Sequence, residues 1–344
     1  MGIATYSSPA QRIGRIKGAI WKHAVHTAVV EKSGEIWPQP VKAGDTVVFR
    51  TVIPFGATAA APNVFSTTAA AHLIQEGSNP NPDSISAVDT SVQVQKYGAT
   101  YGYTERTASL GEDDVPSWME EQLGERLGLV RELVYLGALD ACTNRFYSGG
   151  TSRATVDESV TENLVGRVTR SLEASHAKTI KSMAKSTADY GSQAVQACYF
   201  AYGHTDLRQN IEAIPGYKAV FDYGAAKPLD PMEIGCVGPM RFILSPDMPK
   251  VIDAGAAIAG TTNLSTTGTN ADVYKLFIVA KDAWGHTAFR GLDAFKYMHK
   301  KVGDIDSGDP TGERGYCSAT FYDAGVVSNH GWMAVCEVTV RSLT

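Results

Sequence analysis

The sequence predicts an α+β protein with an N-terminal arm, an extended β-hairpin loop, one long helix and an α/β section, and three observations carry that prediction. The stretch VPSWMEEQLGERLGLVRELVYLGALDACTNRFYSGG, from Val115 to Gly150, reads as one uninterrupted helix. Two runs rich in β-branched and aromatic residues precede it, separated by a long polar excursion. After it, short strand and helix pieces alternate to about residue 290.

The 344 residues, 44% hydrophobic and 19% charged, hold enough apolar surface for a sizeable core. A net charge of -5 and a pI of about 5.9 exclude a global electrostatic case for nucleic-acid binding, which needs clustered Lys and Arg. Cys142, Cys198, Cys236, Cys317 and Cys336 are odd in number and show no CxxC spacing, so they read as small buried hydrophobes of a reducing compartment. The N-terminus lacks an apolar signal region and no stretch approaches the roughly 18 apolar residues of a membrane span, which predicts a cytoplasm-like setting and no membrane partner.

The first forty or so residues carry scattered basic side chains and end in EIWPQPVKAGD, where Pro38 and Pro40 remove backbone donors and force an extended path. This is an arm. GDTVVFRTVIPF (Gly44 to Phe55) predicts a strand, and SVQVQKYGATYGYTER (Ser91 to Arg106) predicts a second. Paired, they make a projecting ribbon. The long helix is expected to start at Asp113-Asp114 with Pro116 in its first turn and a capping box from Ser117 to Glu120. Met119, Leu123, Leu127, Val130, Val134, Ala138 and Ala141 recur at helical spacing, widened by Leu129, Leu133 and Leu136, with Glu121, Glu125, Arg131 and Glu132 assigned to the opposite face. Such a helix would span roughly 45 Å.

A second helix is signalled by Ser159-x-x-Glu162 and by Leu164, Val165, Val168 and Leu172. Gly260 to Asp272 reads as a solvated loop. The chain closes with two strands across a Ser-Asn-His-Gly turn, the last placing Trp332, Ala334, Cys336, Val338 and Val340 on one face.

No phosphate-loop, hydrolase-elbow, zincin or EF-hand pattern is present, and no catalytic, cofactor-binding or metal-ligating residues are assigned. His23 and His26 lack a third ligand nearby and read as surface or interface histidines. His204 and Asp206 could serve a cytosolic α/β enzyme as general base and orienter, but they also suit a helix cap beside its dipole. The aromatic residues Trp21 and Trp37 in the arm and Tyr97, Tyr101 and Tyr103 in the ribbon sit on segments that cannot build a core alone, which makes them candidates for contact with a neighbouring subunit.

Several strings, in order and spacing, resemble the major capsid protein family of tailed phages named for gene product 56 of coliphage N-four. They are Pro38-x-Pro40, KAGDTVVFR (Lys42 to Arg50) before Ile53-Pro54, Glu76-Gly77 with Pro80, Gln95-x-Tyr97-Gly98, HTDLRQNIEAIPGY (His204 to Tyr217), EIGCVGPMRFILSP (Glu233 to Pro246), YKLFIVAKDAWG (Tyr274 to Gly285) and DPTGERGYCSATFYDAGVV (Asp309 to Val327). The resemblance implies the Hong Kong 97 type of capsid fold, divided into an N-terminal arm (1–41), an extended loop with peripheral strands (42–108), a spine helix (109–154), an axial domain (155–290) and return strands (291–344). It further implies a non-enzymatic shell subunit without cofactors, forming hexamers and pentamers in a virion capsid assembled in the host bacterial cytoplasm. The implied partners are portal, scaffolding and decoration proteins, with double-stranded DNA touched non-specifically on the inner face. An encapsulin-like compartment is the alternative within the same architecture.

Overall fold

A helix as long as the one foreseen must serve more than one core, because a single small domain is narrower than it. The computed structural model describes residues 28–37, 39–40, 44–58, 62–65, 67–74, 76–77, 84–110, 114–184, 192–223, 228, 230–258, 262–287, 295–305 and 308–342. In chain order the elements are β1 (Glu35–Ile36), β2 (Thr46–Val52), β3 (Ala87–Gln93), β4 (Gln95–Thr104), α1 (Glu105–Leu110), α2 (Val115–Asp140), β5 (Arg145–Tyr147), α3 (Glu162–Ala174), β6 (Ile180–Ala184), β7 (Ser192–His204), α4 (Arg208–Glu212), β8 (Lys218–Ala219), β9 (Glu233–Val237), β10 (Met240–Ser245), β11 (Lys250–Val251), β12 (Val273–Val279), β13 (Trp284–Thr287), β14 (Lys296–Lys300), β15 (Arg314–Val327) and β16 (Met333–Val338). The class is α+β, with strands in the majority.

The strands form three sheets. A nine-stranded sheet runs β5-β16-β12-β7-β10-β9-β8, with β11 and β6 attached to β12 and β7. Every residue of β12 is buried, and its side chains alternate between two cores. Leu276 and Ile278 face α3 and α4, whereas Phe277 and Val279 face the C-terminal half of α2. A continuous apolar run is what a strand covered on both faces requires. The second sheet runs β1-β13-β15-β14, with β4 also on β15. The third is the isolated pair β2-β3.

Helix α2 spans 26 residues, about 39 Å, and crosses from one core to the other. Leu123 and Leu127 pack with Tyr103, Cys317 and Phe321 of the second sheet. Tyr135, Leu136 and Leu139 pack with Phe200, Phe277 and Val335 of the first. The strut joins two sheets.

Several boundaries differ from expectation. Asp114 is the N-cap in place of the Ser117 capping box, its carboxylate accepting the Ser117 amide at 3.4 Å and hydroxyl at 2.6 Å. The helix ends at Asp140 rather than Gly150, because β5 pairs with β16 and Arg145 turns back to donate to the Asp140 carbonyl and carboxylate. Thr161, not Ser159, caps α3, accepting the Leu164 amide at 3.3 Å. The second predicted strand is two, β3 and β4, divided at Val94, whose amide bonds to Asp45 O at 2.8 Å, and its last residues begin α1.

The closing strands are not partners. β15 pairs with β4, β13 and β14, whereas β16 enters the nine-stranded sheet between β12 and β5. Residues 291–344 therefore divide between both sheets. Trp332, Ala334, Cys336, Val338 and Val340 do share one core face. The Gly260 to Asp272 loop, expected to be solvated, is organised around fully buried Asp272, which accepts from the amides of Thr266 (2.9 Å) and Asp253 (3.1 Å).

Two charged residues assigned to the solvent face of α2 are buried in part or whole. Glu132, 2% exposed, accepts the amides of Val29 and Val30 at 3.1 and 3.0 Å. Arg131 pairs with Glu31 at 3.3 Å and with Asp323 at 2.9 Å. Both hold the end of the N-terminal arm onto the helix.

Candidate assembly interface

A two-stranded ribbon with one layer of side chains per face cannot form a core of its own. In β2-β3 the register sets Val47 opposite Val92, Phe49 opposite Thr90 and Thr51 opposite Val88 on one face, with Val48 opposite Ser91, Arg50 opposite Asp89 and Val52 opposite Ala87 on the other. The first face turns toward the body. Phe49 meets Trp37 edge-on at 6.1 Å, and between ribbon and body lies a groove of about 750 Å³ bordered by Trp37, Val47, Phe65, His176 and Trp332. At its floor Asn63 and Asn329 exchange paired amide hydrogen bonds of 2.8 Å each, and Phe65 packs against His176 at 4.8 Å.

The second face is bare. Val48 and Val52 are 54% and 61% exposed; past the end of β2, Phe55 is 65% exposed with its ring against Phe65 at 5.8 Å, and elsewhere in the chain Leu73, Ile74 and Ile85 are 75%, 66% and 86% exposed. Across the pair, Arg50 clamps Asp89 through two 2.7 Å hydrogen bonds, which holds the Asp89 carboxyl below its ordinary value. The Arg50–Asp89 pair thus lies between Val48 and Val52, and exposed apolar side chains set around a charged pair are the mixed composition of a docking surface. Outside this region the largest exposed rings and aliphatics among the described residues include Phe221, 97% exposed on a turn beside β8, and Leu133, 49% exposed on α2.

The predicted contact residues fall into different places. Trp21 lies outside the described residues, as do His23 and His26. Trp37 is half exposed, its N–H donating to His286 O at 3.0 Å while its carbonyl accepts from Thr287 at 2.5 Å. The three tyrosines sit on β4 rather than on the ribbon, where Tyr103 is buried and Tyr97 and Tyr101 are covered in part by the chain itself. Tyr97 stacks on Phe321 at 5.5 Å, Tyr101 lies beneath Arg126, and Tyr103 is 3% exposed with its hydroxyl 2.7 Å from His299. The close approach of Tyr103 requires Gly315 opposite it, where a Cβ would come within 2.2 Å of the ring. Burial raises the pKa of the Tyr97 and Tyr103 phenols above the ordinary value, so both stay neutral. The sequence marked β2 as a strand by its β-branched and aromatic content but did not mark which face is bare, and no local signal separated β4 from β3.

The arm is anchored through a buried polar cluster. Tyr135 donates to Asp323 at 2.5 Å, Arg131 donates to both, and His286 lies 3.2 Å from the Tyr135 hydroxyl. Burial pushes His286 down to about 4, so its 3.9 Å approach to Asp323 is not an ion pair at neutral pH. Burial likewise raises the Asp323 carboxyl.

His204 and Asp206 do not take up the geometry of a base and its orienter. His204 Nδ1 accepts the Asp206 amide at 3.1 Å, capping the turn before α4, and burial lowers its proton affinity. An acceptor Nδ1 has no proton to give the carboxylate 3.2 Å away, and that carboxylate instead accepts from Tyr274 at 2.8 Å. Among the described helices none is long and apolar enough to cross a membrane.

No family model and no curated protein matches the sequence. Solved structures do match, along the whole length. The capsid of Ralstonia phage GP4 superposes with a TM-score of 0.66 at 10% identity, covering 100% of this chain and 99% of that one. This is the tailed-phage capsid fold. The head structure of Helicobacter pylori bacteriophage KHP40 matches at 0.63 with 9% identity over 99% and 98% of the two chains, and the capsid of cyanophage Pam1 at 0.58 with 15% identity over 99% and 100%. That fold is of the Hong Kong 97 type.

Proposed function

We propose that the chain is the major capsid protein of a tailed bacteriophage, assembling through hexamers and pentamers into an icosahedral shell around double-stranded DNA. The observation that carries this reading is the bare apolar face of the extended loop on a chain whose whole length follows capsid subunits. A ribbon that cannot bury Val48, Val52 and Phe55 against its own body buries them on a neighbouring copy, and such heterologous contacts close into rings and shells. Trp37, half exposed against Phe49 on the ribbon's other face, is a separate contact candidate. Kinship to the gene product 56 family of coliphage N-four is supported by the strings given above. Portal, scaffolding and decoration proteins, inner-face DNA, and assembly in the host cytoplasm before residence in the virion follow from the same role. Such a role asks for geometry and stability rather than a reactive group.

Electron microscopy and light scattering on the full chain, alone and with co-expressed neighbours, test the proposal. Icosahedral or tubular particles are expected from the natural sequence. Replacing Val48, Val52 and Phe55 together by Ser should leave a folded subunit that no longer builds them. A natural sequence that stays a uniform monomer in every condition would remove the basis for a shell subunit.

A further inference from the structure

Under the first turns of the spine helix, three residues from three elements bring metal-binding atoms together. Glu120 on α2, His299 on β14 and Cys317 on β15 place one carboxylate oxygen, one ring nitrogen and one sulfur all within 4.8 Å of one another. The fold builds this convergence. His299 and Cys317 are directly opposed across antiparallel strands and share a face, and α2 lies over that face.

The hydrogen bonding around His299 narrows the chemistry. Its Nε2 is 2.7 Å from the Tyr103 hydroxyl, which is held in place by burial over Gly315. With Nε2–H donating to that oxygen, Nδ1 presents a lone pair, and it stands 3.5 Å from Glu120 Oε1. A lone pair and a carboxylate oxygen facing each other repel unless a cation or a proton lies between. Nitrogen and oxygen ligands around tetrahedral zinc are roughly 3.3–3.6 Å apart, which is already this separation. Fixing the second ring nitrogen with a hydrogen bond is also how protein metal sites orient a histidine. Tyr297, two residues before His299 on the same strand face, donates to Glu120 and aims the carboxylate.

We propose that Glu120, His299 and Cys317 bind one zinc ion, which braces the spine helix against β14 and β15. The donor set selects the metal: a thiolate with an imidazole and one carboxylate suits zinc and not magnesium or calcium, which take oxygen ligands. Binding replaces the Cys317 thiol proton, released to solvent, by a sulfur–zinc bond. The fourth position is left to water. Glu120, 44% exposed at its side chain, opens the path of entry, while Cys317 is fully buried.

The test uses the full-length protein, stripped with a chelator and titrated with zinc chloride by calorimetry and total-metal analysis. One zinc per chain is expected, together with a rise of a few degrees in Tm. Cobalt(II) in its place should give a sulfur-to-metal charge-transfer band in the near ultraviolet. Cys317→Ser should abolish that band, Glu120→Gln should weaken zinc at least tenfold, and Tyr103→Phe should weaken it on the order of tenfold or more. Cys236→Ser, at a partly exposed cysteine elsewhere, should change nothing. Because Glu120 is exposed, its variant folds even where the buried Cys317 variant does not. Absence of bound zinc and of the cobalt band in the natural sequence, or affinity unchanged in Glu120→Gln, would overturn the site in favour of a plain imidazolium–carboxylate pair.

Discussion

The nine-stranded sheet and the β2-β3 ribbon are built from the same residue types and come to opposite ends. In β12 and β16 every side chain is buried, with α3 and α4 on one face and α2 on the other. In β2 no residue is fully buried, although Val47, Val48, Phe49 and Val52 would suit a core. The comparison separates what the subunit needs to fold from what it offers to another copy. Apolar side chains in the first group are covered by the chain itself; in the second Val47 and Phe49 are covered in part, and Val48 and Val52 are left exposed.

Changes in the covered region should have the largest effect on the isolated subunit. Glu337, fully buried at its side chain, accepts from Arg145 at 2.9 Å and from Arg153 through two 2.7 Å bonds. Glu337→Ala takes the carboxylate partner from Arg153 and one of two from Arg145, which keeps Asp140, and should cost about 3–5 kcal/mol in denaturant unfolding. Phe277→Ala, a cavity at the centre of β12, should cost a similar 3–5 kcal/mol.

Acid should act next. His286 is 3% exposed and holds its proton only below about pH 4, whereas the unfolded residue takes one near 6.5. Its effect on stability is nil above 6.5, because both states are then neutral. As pH falls from 6.5 toward 4 the unfolded chain binds a proton that the folded chain refuses, and roughly 3 kcal/mol should be lost through this one group. Unfolding of the natural sequence and of His286→Gln across that window should diverge by this amount, and parallel curves would show that His286 does not govern it.

The ribbon should respond least. Arg50→Ala with Asp89→Ala removes an exposed cross-strand pair, and the subunit's Tm should not move measurably. Particle yield is where that variant should register. A large loss of subunit stability from it would mean that the ribbon is part of the subunit's own core and would undo the comparison.

Much of the fold was legible because local pattern follows local physics. The strand before Pro54, the stripe of Leu123, Leu127 and Leu136, the core face of α3 and the alternation from Trp332 to Val340 all stand where spacing put them. The site was legible in part. The β-branched and aromatic content of β2 identified Val48 and Val52 only as strand residues, and their exposure depends on what lies beside them. Tyr103 belongs to the chain's own core, with Tyr97 and Tyr101 packed against it, because β15, more than two hundred residues later, pairs along their strand.

What the sequence determined by itself is the set of elements, their order and the apolar face of each, since propensity and periodicity act within a few neighbours. What the tertiary structure decided is which sheet takes which strand and which polar groups go inside. β15 and β16 follow one another yet serve different sheets, and Glu132 is buried because the amides of Val29 and Val30 come to it from about a hundred residues away. Burial of a charge is set by a partner's position in space, and that position exists only once the long-range pairing has formed.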